Sequence, residues 1–137
     1  MSYLLDTNAL CETVRKQPDR NVLQWFEQTP ENALHLSVLS LGEIRKGVER
    51  LGDGARKEKL RVWLEQDLPA RFGERLLPVT SGIADRWGRL AAESNRPVAA
   101  VDSLLAATAL LHGLRIVTRN GRDFAFPGLD VVNPWGG

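Results

Sequence analysis

Short apolar runs alternate with stretches of helical period along the whole chain. Tyr3-Leu4-Leu5 is a buried-strand candidate, and a helix is predicted from Thr7 to Lys16, with Pro18 marking its end. A second helix is predicted from about Asp19 to Gln28, with Val22, Trp25 and Phe26 on one side. Leu34-His35-Leu36 is the next strand. It leads into a helix from Val38 to Leu51 with Ile44, Gly47, Val48 and Leu51 at helical spacing. Asp53 to Arg71 carries a stripe of Leu60, Trp63, Leu64 and Leu68, which predicts one more helix. Leu76, Leu77 and Val79 mark a third strand around Pro78. Ile83, Ala84, Trp87, Leu90 and Ala91 mark the helix after it. Beyond Pro97, a face of Val101, Leu104, Leu105, Thr108 and Leu111 predicts a helix that Gly113 ends. Arg115-Ile116-Val117-Thr118 is the clearest strand, and Val131-Val132 is a last short one, stopped by Pro134.

Strands separated by helices pair in parallel through crossovers, so the pattern predicts an α/β sandwich. In such sheets ligands bind beyond the carboxyl ends of the strands, where the strand order reverses. The residues just after each strand are therefore where chemistry is expected. A length of 137 residues suits one domain, 1–137, that needs no disulfide to fold. The single cysteine, Cys11, fits a reduced, small apolar side chain. The start lacks the basic region and apolar run of a secretory leader, and no apolar run is long enough to span a bilayer, so a cytoplasmic protein is expected. A formal net charge of +1 argues against coating nucleic acid by bulk charge, while leaving room for a local basic rim.

Placed on these elements, the acids form a pattern. Asp6 follows the first strand, Glu43 lies on the helix after the second, Asp102 begins the helix before the fourth, and Asn120 and Asp123 follow the fourth. Hard divalent cations such as Mg²⁺ and Mn²⁺ prefer such an oxygen-only set. His35 and His112 lack zinc-ligand spacing. Each acid also has a purely structural reading. Asp6 suits a helix N-cap, and Ser40-Leu41-Gly42-Glu43 matches a capping box, although Ser37 is the better cap. Asp102 suits a first helical turn, and Asn120-Gly121 suits a hairpin turn. Trp25, Trp63, Trp87 and Trp135 fit core or interface anchors. Rival site chemistries lack a part. An aspartyl phosphatase needs a second acid at the position of Asn8, and a receiver domain needs a lysine near Val117-Thr118-Arg119-Asn120.

In combination these segments resemble a known family. Leu4-Leu5-Asp6-Thr7-Asn8-Ala9-Leu10, then Leu36-Ser37 with Leu41-Gly42-Glu43-Ile44-Arg45-Lys46-Gly47, are similar to the first two motifs of PIN domains. Val101 to Ala109, then Val117-Thr118-Arg119-Asn120 with Asp123-Phe124, are similar to the third and fourth. The order and spacing fit over nearly the whole chain. The resemblance is nearest to the VapC and FitB toxins of bacterial toxin–antitoxin pairs, as far as Asn133-Pro134-Trp135. It implies a three-layer fold with a central parallel sheet in strand order 3-2-1-4-5, and a Mg²⁺- or Mn²⁺-dependent endoribonuclease. It also implies a homodimer held in check by a small antitoxin, with DNA bound only through that partner. By the same resemblance Asp6, Glu43 and Asp102 match the acidic triad, and Asn120 stands where the FitB-like pattern has an aspartate. Either Asn120 or Asp123 then fills the fourth position, and Arg119, Arg122 or Arg45 is expected against the RNA backbone. The competing expectation is a catalytically weak scaffold that acts mainly as the partner of a DNA-binding antitoxin.

Overall fold

A computed structural model describes residues 1–136. Five strands form one parallel sheet: β1 (Tyr3–Leu5), β2 (Leu34–Ser37), β3 (Leu76–Leu77), β4 (Arg115–Val117) and β5 (Val131–Val132). Their spatial order is β3-β2-β1-β4-β5, and every neighbouring pair is parallel. β1 is central, with Tyr3, Leu4 and Leu5 in register with Arg115, Ile116 and Val117. The inner strands β1, β2 and β4 are largely buried, the edge strands β3 and β5 are partly exposed, and each is short.

Successive side chains of β1 and β4 point to opposite faces. Leu4 and Ile116 pack with α6 (Ser81–Glu93) and α7 (Ala100–His112) through Ile83, Leu90, Leu105 and Ala109. Leu5 and Val117 pack on the other face with α1 (Thr7–Glu12), α3 (Val38–Glu49) and the helical run after it, through Leu10, Ile44, Leu64 and Phe72. The expected three layers and strand order are therefore present. α2 (Arg20–Gln28) starts at Asp19, whose carboxylate accepts from Asn21 N–H at 2.8 Å and Val22 N–H at 3.2 Å.

Some boundaries differ from the expectation, for identifiable reasons. α1 stops at Glu12 rather than Lys16, and the Glu12 carboxylate accepts Asp19 N–H at 2.8 Å, closing the loop that contains Pro18. The helix predicted over Asp53–Arg71 is α4 (Ala55–Val62) and α5 (Leu68–Phe72), joined by a π-turn at Trp63–Asp67. Pro69 has no N–H to bond back into the preceding turn, and the widened turn just before it absorbs that gap. β3 ends at Leu77, since Pro78 cannot continue the ladder. Gly113 closes α7 with φ +65°, a left-handed conformation that favours glycine. Asn120-Gly121 makes no hairpin, because β4 and β5 are parallel and a 3₁₀ turn at Gly121–Phe124 lies between them. Among the described residues, no helix is long and apolar enough to cross a membrane.

Candidate active site

Asp6 sits where β1 gives way to α1. Its backbone N–H makes a last ladder bond to Val117 C=O (2.9 Å), its backbone stays extended, and its carboxylate caps α1 by accepting Thr7 N–H at 2.8 Å. The capping role holds, and it occupies only Oδ1. Oδ2 accepts from Asn8 Nδ2 at 3.0 Å and Thr118 Oγ1 at 2.7 Å. Three of the roughly four lone-pair sites of the carboxylate are used, and one remains. Asp6 is 5% exposed. Burial, helped by the Glu43 charge, pushes its carboxyl above the ordinary range, although the bonds from Thr118, Thr7 and Asn8 pull the other way.

Glu43 is not a capping residue. Ser37 caps α3 by accepting Leu39 N–H at 3.1 Å, so Ser40 lies inside the helix and Glu43 a turn further on. The Thr7 hydroxyl donates to Glu43 Oε1 at 2.5 Å and stands 3.0 Å from Ser40 Oγ. Adjacent residues thus link two acids: Asp6 through its own side chain and Glu43 through Thr7. Asp102 lies in the first turn of α7, half-buried. Its carboxyl is pushed up to about 6, first by burial and then by the charges of Asp6, Asp123 and Glu43. Four segments far apart in sequence therefore bring their acids within electrostatic reach at one end of the sheet.

Asp123 is exposed in the 3₁₀ turn, and its charge is among those felt by Asp102. Asn120 contributes through its backbone. Its N–H donates to Thr118 Oγ1 at 3.0 Å and its carbonyl accepts Asp123 N–H at 3.0 Å, while its side chain is exposed. Among the proposed cations, Arg45 is engaged elsewhere, with Glu65 at 2.7 Å and Glu49 at 3.5 Å. Arg119 follows Thr118, is exposed, and donates its backbone N–H to Asn8 Oδ1 at 3.3 Å. Cys11 lies close by, but burial and the Glu43 and Asp6 charges push its thiol up to about 11. It is therefore neutral at ordinary pH and no thiolate nucleophile.

Thr7, Asn8 and Thr118 were not singled out by sequence reasoning, because uncharged polar residues beside a carboxylate carry no signal of their own. Thr118, wholly buried, is the most consequential. Thr118→Val is expected to destabilise the fold by about 1–3 kcal/mol, since it strips a donor from a buried carboxylate. Urea unfolding would measure it, and an unchanged midpoint would show that Asp6 does not depend on this bond.

Among the described residues, no three acids stand close enough to form a ready-made cation cage. The donor chemistry nevertheless fits a hard divalent cation. The donors are all oxygen, Asp6 has a free lone pair, and burial and mutual repulsion resist the ionisation of Asp6 and Asp102, a penalty that a bound cation relieves.

The family model described as PIN domain matches residues 3–127. Toxin FitB of Neisseria gonorrhoeae is 34% identical over 135 residues, covering 96% of this chain and 97% of that protein. VapC ribonuclease Y4jK of Sinorhizobium fredii is 32% identical over 135 residues, with 96% of each chain covered. Among solved structures, FitAB bound to an IR36 DNA fragment matches with a TM-score of 0.89 and 32% identity, covering 98% of this chain and 96% of that one. With the motifs, the parallel sheet and the matched span in agreement, this chain belongs to the PIN domain family.

Proposed function

We propose that this protein is a Mg²⁺- or Mn²⁺-dependent endoribonuclease and the toxin of a toxin–antitoxin pair. The observation that carries the reading is that Asp6, Glu43 and Asp123 all lie within charge range of Asp102 beyond the sheet, with the Asp102 carboxyl raised to about 6 by burial and by the other three. A site with no other function gains nothing from gathering like charges in partly buried positions. Asp6, Glu43 and Asp102 would hold the cation. Asp123 completes the set as the charged member, and Asn120 fixes the loop that carries it. A divalent ion at these oxygens supplies positive charge to a phosphodiester and lowers the pKa of a water. The protein's own part is to orient the acids. Thr118 and Asn8 hold Asp6, Thr7 holds Glu43, and the turn through Asn120 sets Asp123. Likeness to a ribonuclease and to a toxin makes RNA the substrate to test.

The same reading includes a small antitoxin, with DNA bound only through it, as the FitAB complex on DNA suggests by likeness. A groove of about 270 Å³, lined by Thr7, Cys11, Glu43, Ile44, Leu60 and Trp63, opens beside the acids and suits an apolar segment of that partner. It also includes a homodimer. Trp25 and Trp87 are spent largely within the chain, Trp25 edge-on to Tyr3 and Phe26, and Trp87 donating to Ser103 Oγ at 2.8 Å. These two tryptophans therefore act as core anchors rather than interface ones, and sedimentation at micromolar concentration tests the dimer.

Purified protein with Mn²⁺ is expected to cleave single-stranded RNA, stop on addition of EDTA and resume with excess Mn²⁺. Mn²⁺ is also expected to raise the melting temperature, because a ligand of the native state alone stabilises it. Cleavage that is indifferent to EDTA would remove the metal from the reading. Mn²⁺-dependent stabilisation without any cleavage would favour the scaffold over the enzyme.

A further inference from the structure

Glu12 is a second buried carboxylate, 4% exposed, at the end of α1 and outside the acidic constellation. It accepts Asp19 N–H at 2.8 Å and Arg15 Nη1 at 3.1 Å, and the Trp135 side chain lies near enough to help lower its carboxyl. Burial pushes its carboxyl upward, but these partners outweigh burial and hold it below the ordinary range, so the charge is fixed. Trp135 belongs to a pinned C-terminal tail. Val132 C=O accepts Thr118 N–H at 3.0 Å, Trp135 N–H donates to Asn133 Oδ1 at 2.9 Å, and Pro134 is buried. Gly136, at φ +90°, lies so close to α2 that a Cβ there would meet Asn21 Nδ2 at 2.8 Å.

The pinned ring faces Arg119, whose guanidinium carbon lies 5.6 Å from its centroid. Arg119 N–H donates to the Asn8 side chain that also holds Asp6 Oδ2. The ion pairs formed among the described residues all use other arginines or a lysine. A continuous path of contacts therefore runs from Trp135 through Arg119 and Asn8 to the first acid of the site. The matched family segment ends at residue 127, so the tail that makes this path lies beyond it.

We propose that Trp135 is a positioning residue: held in place by its C-terminal tail, its ring holds the Arg119 guanidinium at the rim of the acidic site, where that cation takes a phosphate of the RNA. This rests on the ribonuclease reading. Four carboxylates repel a phosphodiester chain, and a cation at their edge offsets that repulsion. A free arginine stem loses rotamer freedom on gripping a phosphate, whereas a stacked guanidinium has already lost part of it.

The experiment uses full-length Asp6→Asn protein in EDTA, so that RNA is bound without being cut, and a short labelled RNA of mixed sequence. Trp135→Leu is expected to weaken binding about two- to fivefold, whereas Trp135→Phe, which keeps a π-face, stays close to the parent. With Arg119→Ala added, the Leu and Phe variants should bind alike. Arg119→Lys keeps the charge but loses the planar stack and changes only an exposed side chain. It should reproduce the loss even where Trp135→Leu folds poorly. In parallel, the Arg119 Cδ protons should show an upfield ring-current shift in NMR that Trp135→Phe retains and Trp135→Leu abolishes. Parent-like RNA affinity in Trp135→Leu or Arg119→Lys, with the ring-current shift lost, overturns the proposal. Absence of the shift in the parent overturns the clamp and leaves the ribonuclease reading standing. A parent that binds no RNA but shows the shift overturns the ribonuclease reading, and with it the role of the clamp.

Discussion

Asp6→Asn is expected to lower RNA cleavage about 10²- to 10³-fold or more while leaving the protein folded. The catalytic loss follows from position. Asp6 is the acid at the end of the central strand, and its charge bears on Asp102 across the site. The stability outcome is a balance. Removing the charge relieves a buried carboxylate whose ionisation the fold resists. The amide brings a cost, because Asp6 Oδ2 accepts from both Asn8 Nδ2 and Thr118 Oγ1. An amide NH₂ in that place can donate to the Thr118 hydroxyl but confronts the Asn8 NH₂ with a second donor. Asn8 cannot turn over freely, since its Oδ1 holds Arg119 N–H. One lost hydrogen bond, about 1 kcal/mol, is set against one relieved charge of similar size, so the melting temperature should move by no more than about 4 °C. Charge relief alone would make the variant at least as stable as the parent, and the Asn8 conflict is what withholds that gain. Single-turnover cleavage and a thermal melt check both parts, and wild-type cleavage by folded Asp6→Asn protein would retire Asp6 from the site.

Much of this architecture was legible in the sequence because it rests on local signals. Tyr3-Leu4-Leu5 and Ile116-Val117 are apolar runs too short for helices, and each is followed at once by polar residues, so the strand ends and the acids after them fall where period and composition place them. Glu43 was separable from a capping role because Ser37 offered a better cap one turn earlier, and Ser37 does cap α3. What stayed hidden depends on contacts between distant residues. Thr118 and Asp6 are 112 positions apart, and nothing in either segment announces their hydrogen bond. Arg45 sits inside a motif beside Glu43 and read as a phosphate contact, yet Glu65, on the π-turn of the next helical run, takes it. Glu12 read as part of a helix that continues to Lys16. Only the fold shows it buried, ending that helix beside the C-terminal tryptophan. Charged side chains with tertiary partners are the general blind spot here, since in a sequence they look the same as a solvated face.

Asp102 should make both stability and cation binding depend on pH in a direction opposite to that of an ordinary ion-paired aspartate. Its carboxyl is raised from an unfolded value near 3.8 to about 6 in the native state. Between those values the native state holds a proton that the unfolded chain has released, so stability falls as pH rises through the window. Glu12 and Glu31 are shifted downward, so their stabilising contributions are gained at lower pH, and Asp102 sets the slope from pH 5 to 7. For a half-buried group screened by solvent, that slope amounts to roughly 1 kcal/mol lost over the interval. A divalent cation competes with the same proton. Its affinity should therefore climb with pH, by up to about tenfold per unit below pH 6, and level off above it. Asp102→Asn should do three things together: flatten the stability slope of the metal-free protein, raise its stability at pH 7 by at least the amount lost between pH 5 and 7, and abolish both the pH-dependent part of Mn²⁺ affinity and cleavage. Urea melts at pH 5 and 7, with and without EDTA, together with calorimetric Mn²⁺ titrations over the same range, measure all three. If Mn²⁺ affinity were flat from pH 5 to 7 and unaltered in Asp102→Asn, the raised carboxyl would have no share in holding the cation, and the site would have to be built from Asp6, Glu43 and Asp123 alone.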